Sequence, residues 1–199
     1  MKEHWDERYS AESYIYGTLP NAWLAAKIQG LTPGKLLLPA EGEGRNAVFA
    51  ATKGWQVTAF DQSVEGQKKA LKLATEKKVY IEYQIHDLTE FEFSAEHFDA
   101  IALIFVHLPE ETRQTVHQNL LKSLKPGGYL ILEAFTKTQL TKNTGGPRSE
   151  QLLYECEQIK QDFISLDIIE RSELTIELNE GLLHQGEAHV IRLFARKPL

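Results

Sequence analysis

The chain has little cysteine, no long apolar run and no excess of positive charge. Its 199 residues include one cysteine, Cys156, which excludes an internal disulfide and suits a reducing compartment. The longest apolar run, 100–106, is far shorter than the roughly 20 residues that a membrane-spanning helix needs. The charged start, Lys2-Glu3-His4, is untypical of a signal peptide. Together these features predict a cytoplasmic protein.

The balance of charge argues against two classes of partner. There are 22 basic and 28 acidic residues, which give a formal net charge of −6. A chain without a basic excess is a poor candidate for binding nucleic acid or an anionic membrane. The composition, with 42% hydrophobic and 25% charged residues, is that of a globular protein, and the length predicts a single domain over 1–199.

Strand-like and helix-like patterns alternate along the chain, which is typical of an α/β domain with a mostly parallel sheet. The predicted strands are 35–38, 56–60, 79–85, 98–106 and 129–135. The predicted helices are 21–29, 46–53, 64–77, 109–124 and 150–161. A turn is predicted at 125–128, and three more alternating segments at 163–171, 174–178 and 190–196 are predicted as antiparallel strands.

A loop of small residues between the first strand and the next helix is the most informative stretch. Glycine and alanine let a ligand approach the backbone closely, and the helix that follows presents free N–H groups. Ligands of such sheets bind at the carboxyl ends of the strands. We therefore predict that a cofactor lies over this loop. The contacting residues would be Ala40, Glu41, Gly42, Gly44, Arg45 and Asn46.

Acidic residues follow the next two predicted strands. A carboxylate at Asp61, beside Gln62, can accept hydrogen bonds from a ribose diol. Asp87 and the backbone N–H of Leu88 can face an adenine edge. Each acid alone is more often a cap or turn residue, but the succession of strand ends predicts a nucleoside site.

Two nucleosidic cofactors fit this pattern. The stretch Gly42–Ala47 matches the dinucleotide fingerprint G-x-G-x-x-A, and Asp61 follows Gly44 by 17 residues, which suits NAD(P). Against this, Glu41 and Glu43 would repel a pyrophosphate but tolerate the sulfonium and ammonium of S-adenosylmethionine. The chain also has no Tyr-x-x-x-Lys pair of a short-chain reductase. A reductase stays open as the enzymatic alternative, and a degenerate binding module as the non-catalytic one.

The same segments resemble the class I S-adenosylmethionine-dependent methyltransferases. The resemblance is carried by the glycine loop, by Asp61, by 86–88, by 98–108 and by the turn Lys125-Pro126-Gly127-Gly128. The segments 44–46 and 5–9 look closest to the tellurite-resistance and thiopurine methyltransferase-like branch. The resemblance implies S-adenosylmethionine as cofactor and a Rossmann-like, seven-stranded, mostly parallel sheet. It further implies an antiparallel C-terminal hairpin and helices on both faces.

Three parts of the chain receive roles from this resemblance. Residues 1–30 would form a lid and helix, 35–135 the cofactor-binding core, and 136–199 the substrate-side loop and C-terminal strands. The first motif departs from the family, because Leu38 and Ala40 stand where an acid and a glycine are usual. That departure places the geometry of the loop, and the affinity for the cofactor, in question.

The reaction implied is displacement at the sulfonium methyl by a small-molecule nucleophile: a thiol, a chalcogen oxyanion or a metabolite. His107 follows the fourth strand and is the candidate proton acceptor. Phe105 is a candidate wall of the adenine pocket, and Tyr9 belongs to the aromatic lid. Arg148 and His184 are candidate substrate contacts. No metal site is predicted, and the sequence gives no oligomeric state.

Overall fold

The computed structural model describes residues 2–92 and 94–199. Met1 of the predicted lid and Phe93 in the irregular stretch before the fourth strand therefore lie outside the described residues. The helices are α1 Lys2–Tyr9, α2 Ala22–Gln29, α3 Arg45–Thr52, α4 Val64–Lys77, α5 Glu110–Ser123 and α6 Cys156–Asp162, with 3-10 turns at Lys137–Thr141 and Glu150–Leu152. The strands are β1 Lys35–Pro39, β2 Gln56–Asp61, β3 Glu82–Ile85, β4 Phe98–Ile104, β5 Leu124–Phe135, β6 Asp167–Asn179 and β7 Gln185–Arg196.

The seven strands form one mixed sheet in the order β3-β2-β1-β4-β5-β7-β6. The pairs β1–β2, β2–β3 and β4–β5 are parallel. The pairs β5–β7 and β6–β7 are antiparallel. The predicted α/β fold, with its seven-stranded sheet and antiparallel C-terminal hairpin, is confirmed.

The chain divides into two compact units. The first comprises Met1–Phe91 together with Glu180–Leu183, and the second comprises Glu92–Asn179 together with His184–Leu199. The first unit holds β1 to β3 and α1 to α4, and the second holds β4 to β7, α5 and α6.

Helix boundaries in the first unit follow capping signals that the sequence carries. Asn21 accepts a hydrogen bond from Leu24 N, and Ser63 accepts one from Gly66 N at 3.0 Å, so each begins its helix as an N-cap. The predicted helix 64–77 is confirmed at both ends. Lys78 adopts a left-handed conformation with φ 56°, and Val79 N bonds back to Ala74 O. Because this turn closes α4, β3 begins only at Glu82, later than predicted.

The predicted helix 150–161 is confirmed only from Cys156 onward, because the chain is extended at Tyr154. This residue is fully buried, and its N–H donates to Phe135 O at 3.1 Å in an isolated parallel bridge with Thr136. The bridge separates a short 3-10 turn from α6. Glu155 then starts α6 with a capping box to Gln158.

The C-terminal strands also differ from the prediction. The segments 163–171 and 174–178 were expected to be two strands, but β6 is continuous from Asp167 to Asn179, because pairing with β7 runs along its whole length. Phe163 instead caps α6 and is buried. The predicted turn at 125–128 is a bulge within β5, where the register with β4 jumps from Phe98↔Leu124 to Ala100↔Tyr129.

Among the described residues, none of the helices has both the length and the apolar character needed to cross a bilayer.

Gly44 tests how tightly the first unit is packed. It begins α3 with φ 84°, and an added Cβ would lie 2.4 Å from the Cβ of Ala70 on α4. Gly54 has a similar φ of 89°, but its nearest neighbour, Pro33, is 3.8 Å away. Both alanine variants should lose about 1 kcal/mol to backbone strain, and Gly44→Ala about 1–3 kcal/mol more to overpacking. Urea unfolding measures both. Equal losses would contradict the close packing of α3 on α4.

Candidate active site

The glycine loop of the first unit is held at Gly42 by contacts from three directions. Its N–H donates to Asp61 Oδ2 at 3.0 Å, and its carbonyl accepts from Tyr83 Oη at 2.5 Å. A Cβ at this position would lie 2.5 Å from the hydroxyl of Tyr9, and one at Gly66 would lie 2.9 Å from Gly42 O. Only glycine fits at Gly42, which also has a φ of 61°.

Asp61 ends β2 as the sequence predicts, and its carboxylate is fixed by backbone donors. Oδ1 accepts from Ser63 N at 2.9 Å while Oδ2 accepts from Gly42 N. The residue is only 7% exposed. Burial raises the pKa of Asp61, although the N–H groups of Ser63, Gly42 and Gln62 oppose that shift. The carboxylate thus joins the end of β2 to the loop after β1.

Glu41 caps the first turn of the helix that follows the loop. Its Oε1 accepts from Ala47 N at 2.7 Å, and its Oε2 accepts from the Asn46 amide at 3.4 Å. Asn46 Oδ1 in turn accepts from Asn21 N at 2.8 Å. Burial raises the pKa of Glu41 from its ordinary value of 4.5 to about 7, against the lowering effect of these donors. The group therefore titrates close to neutral pH.

Two cations near the loop are paired with carboxylates. Arg45 Nη2 lies 2.7 Å from Glu180 Oε2, and both side chains are nearly buried. Lys69 Nζ lies 2.8 Å from Glu43 Oε1. Glu43 also accepts from Ile15 N at 2.9 Å. Arg45, which the sequence predicts to contact the cofactor, is therefore paired with Glu180, 135 residues away in the chain.

The N-terminal helix α1 packs beside the loop. Tyr9 is 5% exposed and stacks on Trp5 with ring centroids 5.4 Å apart. Burial and the nearby Asp61 carboxylate hold the pKa of Tyr9 well above its ordinary value. Asp6 accepts from Ser63 Oγ at 2.6 Å, which fixes α1 to the start of α4. Tyr9 therefore lies against Gly42, in the part of the unit where the sequence predicts the lid.

The predicted adenine contacts lie beyond β3, which ends at Ile85. Asp87 is exposed, and its Oδ1 accepts from the N–H and hydroxyl of Thr89 at 2.8 and 2.6 Å. This makes Asp87 a turn residue with one further carboxylate oxygen. Gln62 and Leu88 are half-buried.

In the second unit, Phe105 follows β4 with a left-handed φ of 54°, which is strained for an aromatic residue. Its N–H donates to Glu133 O at 2.7 Å. Its ring stacks on Phe135 at 4.5 Å and meets His184 edge-on at 4.8 Å. His184 is 6% exposed and contacts Phe135 as well. These rings form an aromatic cluster just past the carboxyl ends of β4 and β5.

His107 has backbone partners on both ring nitrogens. Nδ1 lies 2.7 Å from Leu152 O, and Nε2 lies 3.3 Å from Phe135 N. This pairing requires a neutral ring that donates from Nδ1 and accepts at Nε2. Burial lowers the pKa of His107 to about 4. The geometry therefore does not support the predicted role of His107 as a proton acceptor near neutral pH.

Arg148 lies in the loop after β5, where its Nη1 donates to Lys142 O at 2.9 Å. Its side chain is exposed. The described residues contain no cluster of three or more His, Cys, Asp or Glu side chains that would hold a metal ion.

Sequence reasoning missed several residues that shape these surroundings. Tyr83 holds Gly42 O, and Tyr154 Oη accepts from Leu108 N at 2.9 Å beside His107. The alternating pattern of 79–85 could have pointed to Tyr83 as an inward residue. No local signal marks Glu180 as the partner of Arg45, because the two are distant in sequence.

Residues 39–128, a little under half of the chain, match the methyltransferase domain family. No curated protein matches the sequence. The chain is similar to a solved structure described under the conversion of a disulfide bond into a thioacetal group during echinomycin biosynthesis. It is 17% identical, with 100% of this chain and 92% of that chain covered and a TM-score of 0.80.

Two further structures have the same fold. TehB from Haemophilus influenzae is 17% identical over 98% of this chain and 66% of its own, with a TM-score of 0.74. The N-methyltransferase NodS from Bradyrhizobium japonicum is 17% identical, with 97% and 96% covered and a TM-score of 0.69. At these identities the likeness shows the fold alone.

The sheet order and the structural likenesses show that the chain has the class I methyltransferase fold, and the methyltransferase-domain match lies within it. A solved S-adenosylmethionine-dependent methyltransferase from Methanosarcina mazei shares this fold at 17% identity, with a TM-score of 0.67. The likeness to TehB agrees with the predicted resemblance to the tellurite-resistance branch.

Glu41 should make the stability of the protein depend on pH. Its pKa is 4.5 in the unfolded chain and about 7 in the folded one, so the folded state binds more protons between these values. Stability should therefore fall as pH rises through this window, by up to about 3 kcal/mol. Glu41→Gln keeps an acceptor for Ala47 N and should flatten that part of the profile. Urea unfolding from pH 4.5 to pH 7.5 tests this, and parallel profiles would contradict it.

The strain at Phe105 should appear when alanine and glycine variants are compared. Both lose the ring, but only alanine keeps the penalty of a positive φ, so Phe105→Gly should be about 1 kcal/mol more stable than Phe105→Ala. The control pair is Tyr129→Ala and Tyr129→Gly in β5, where glycine should be the less stable variant. Urea denaturation measures the difference, and the same order at both positions would refute the strain.

Proposed function

We propose that the glycine loop of the first unit binds S-adenosylmethionine and that the protein transfers its methyl group to a small molecule. One observation carries the cofactor site: the buried Asp61 carboxylate is fixed at the end of β2 and hydrogen-bonded to Gly42 N. A carboxylate fixed in this way keeps lone pairs with which to accept the hydroxyl groups of a ribose.

The charges around the loop suit a cationic cofactor better than a pyrophosphate. Glu43 is paired with Lys69 and Arg45 with Glu180, so these two pairs are neutral, and Glu41 adds a further carboxyl group that is partly ionised at neutral pH. A pyrophosphate would find carboxylates and neutralised cations there. The sulfonium and ammonium of S-adenosylmethionine are instead favoured by nearby negative charge. These residues fit S-adenosylmethionine.

The residues proposed to hold the cofactor follow from this reading. Ala40, with φ 50°, turns the chain out of β1, and Tyr9 covers the loop from α1. Arg45 acts through its ion pair with Glu180, which positions the loop. The full proposed set is Tyr9, Ala40, Glu41, Gly42, Gly44, Asn46, Asp61, Gln62, Asp87, Leu88 and Phe105.

When bound, S-adenosylmethionine supplies a methyl group already activated by its sulfonium charge. The task left to the protein is to align the acceptor and exclude water. His107 is neutral at pH 7 and has backbone partners on both nitrogens, so it positions the loop after β4 and does not take a proton. We infer that the acceptor is a nucleophile that needs no strong base, such as a thiol or an oxyanion.

The acceptor is proposed to be small, and the chain a single functional domain. The formal net charge of −6 disfavours nucleic acid as substrate. In this proposal residues 1–30 cover the cofactor, 35–135 hold it, and 136–199 contribute the acceptor side, with Arg148 and His184 as candidate contacts.

Calorimetric titration with S-adenosylmethionine, S-adenosylhomocysteine and NADPH tests the cofactor site. We expect the first two to bind and NADPH not to bind. Asp61→Asn should weaken the binding of S-adenosylmethionine at least about 10-fold. The side-chain NH2 of asparagine must then face one of the two backbone N–H groups that donate to the Asp61 carboxylate. Asp167→Asn, at the exposed start of β6 and outside the proposed cofactor set, is the matched control and should change the affinity by less than about 3-fold.

Thermal unfolding of both variants separates lost affinity from lost fold. Binding of NADPH alone would overturn the proposal in favour of a reductase. Absence of binding by all three ligands would favour a non-catalytic module.

A further inference from the structure

The second unit contains an open, polar surface cavity of about 410 Å³. It is lined by Glu110, Arg113, Lys137, Ser149, Glu150, Gln151, Leu153 and Gln158. Glu110 and Arg113 lie in the first turn of α5, after β4, and Lys137 follows β5. The cavity therefore lies beyond the carboxyl ends of two strands, where ligands of α/β sheets bind.

Arg113 is the buried donor of this cavity. The residue is only 5% exposed, and its Nε donates to Asp162 Oδ2 at 2.7 Å. Asp162 also pairs with His117 Nδ1 at 2.9 Å. Within the described residues, Nη1 and Nη2 of Arg113 make no hydrogen bond, and the side chain as a whole is 6% exposed. Since Arg113 lines the cavity, these nitrogens present a planar pair of donors to it.

The guanidinium is held in place before any ligand arrives. Its carbon lies 5.4 Å from the ring centroid of Tyr154, and Asp162 fixes the other side. Tyr154 also binds Leu108 N, next to His107. Tyr154 therefore contacts both the loop that follows β4 and the guanidinium of Arg113. Because that guanidinium is already fixed, its donors are preorganised for a ligand.

The charges that line the cavity select the class of ligand. Two cations, Arg113 and Lys137, face it together with two carboxylates, Glu110 and Glu150, so the formal charges cancel. Lys137 is paired with Glu150 at 3.3 Å and with Glu155 at 2.7 Å. Glu110 is exposed, and its Oε1 accepts a hydrogen bond of 3.4 Å from the Gln158 amide. A simple anion would meet both carboxylates, whereas a zwitterion matches both signs.

We propose that this cavity binds the α-amino acid head of the methyl acceptor, with the carboxylate on the Nη groups of Arg113 and the ammonium on Glu110. The inference that the ligand is the acceptor rests on the proposed methyltransferase function. The binding site itself does not. A bidentate carboxylate–guanidinium pair fixes both position and orientation, and the rim carboxylate adds selectivity for the free amine.

The first experiment measures binding without the cofactor. Saturation-transfer NMR would screen the common L-amino acids up to about 10 mM, a range that includes weak specific complexes. Methionine is left out because it is a fragment of the cofactor. Each amino acid that binds is then compared with its N-acetyl and carboxamide forms, which lack the ammonium and the carboxylate. We expect both capped forms to lose at least about 10-fold in affinity.

Variants then assign the contacts. Arg113→Lys keeps a cation beside Asp162 but removes both Nη groups, and it should weaken binding at least about 10-fold. Glu110→Gln, at an exposed position, should weaken it about 3- to 10-fold. Arg171→Lys, an exposed arginine paired with Glu157, is the matched control and should leave binding unchanged.

The outcomes separate this proposal from the cofactor assignment. Retained S-adenosylmethionine binding with no bound amino acid, or with equal binding of capped and free forms, overturns the cavity proposal alone. Amino acid binding without S-adenosylmethionine binding overturns the methyltransferase assignment and leaves the cavity site. If Arg113→Lys does not fold, Glu110→Gln and the capped ligands on the unaltered protein decide the question.

Discussion

The hydrogen bond between Gly42 N and Asp61 Oδ2, at 3.0 Å, is the constraint on which the first unit depends. A buried carboxylate is costly unless donors satisfy it, and here the donors are backbone N–H groups that cannot move away. The bond therefore fixes the glycine loop against the end of β2. The Tyr83 hydroxyl binds the carbonyl of Gly42, and the Tyr9 hydroxyl lies where a Cβ at position 42 would be. These two tyrosines leave little room for any residue but glycine.

Charge around that loop is neutralised within the unit, and this shapes its chemistry. Arg45 is paired with Glu180, and Lys69 with Glu43, in pairs that are largely buried. Breaking one partner of such a pair leaves an uncompensated charge, so both pairs hold their segments firmly. Glu41 differs from these acids, because burial raises its pKa to about 7 against the lowering effects of the Ala47 N–H and the Arg45 charge. A loop with this balance is suited to a ligand that brings positive charge.

The second unit solves a different problem, which is to hold irregular backbone beside the ends of β4 and β5. Tyr154 interrupts a helix to bridge Thr136, and its hydroxyl secures Leu108. Both ring nitrogens of His107 bind backbone groups, and burial lowers the pKa of the ring to about 4, so it is neutral. These contacts hold the backbone that follows β4 and β5 in place.

The sequence by itself determined the α/β class, the strand–loop–helix at the glycine loop, and the place of Asp61 at the end of β2. These follow from hydrophobic periodicity and from glycine and acid spacing, which are local properties of the chain. Only the tertiary structure decided that Arg45 pairs with Glu180, that Tyr154 breaks the predicted helix 150–161, and that both ring nitrogens of His107 bind backbone groups. Those outcomes depend on which distant segments pack together and on the desolvation that this packing causes, and no local pattern encodes either.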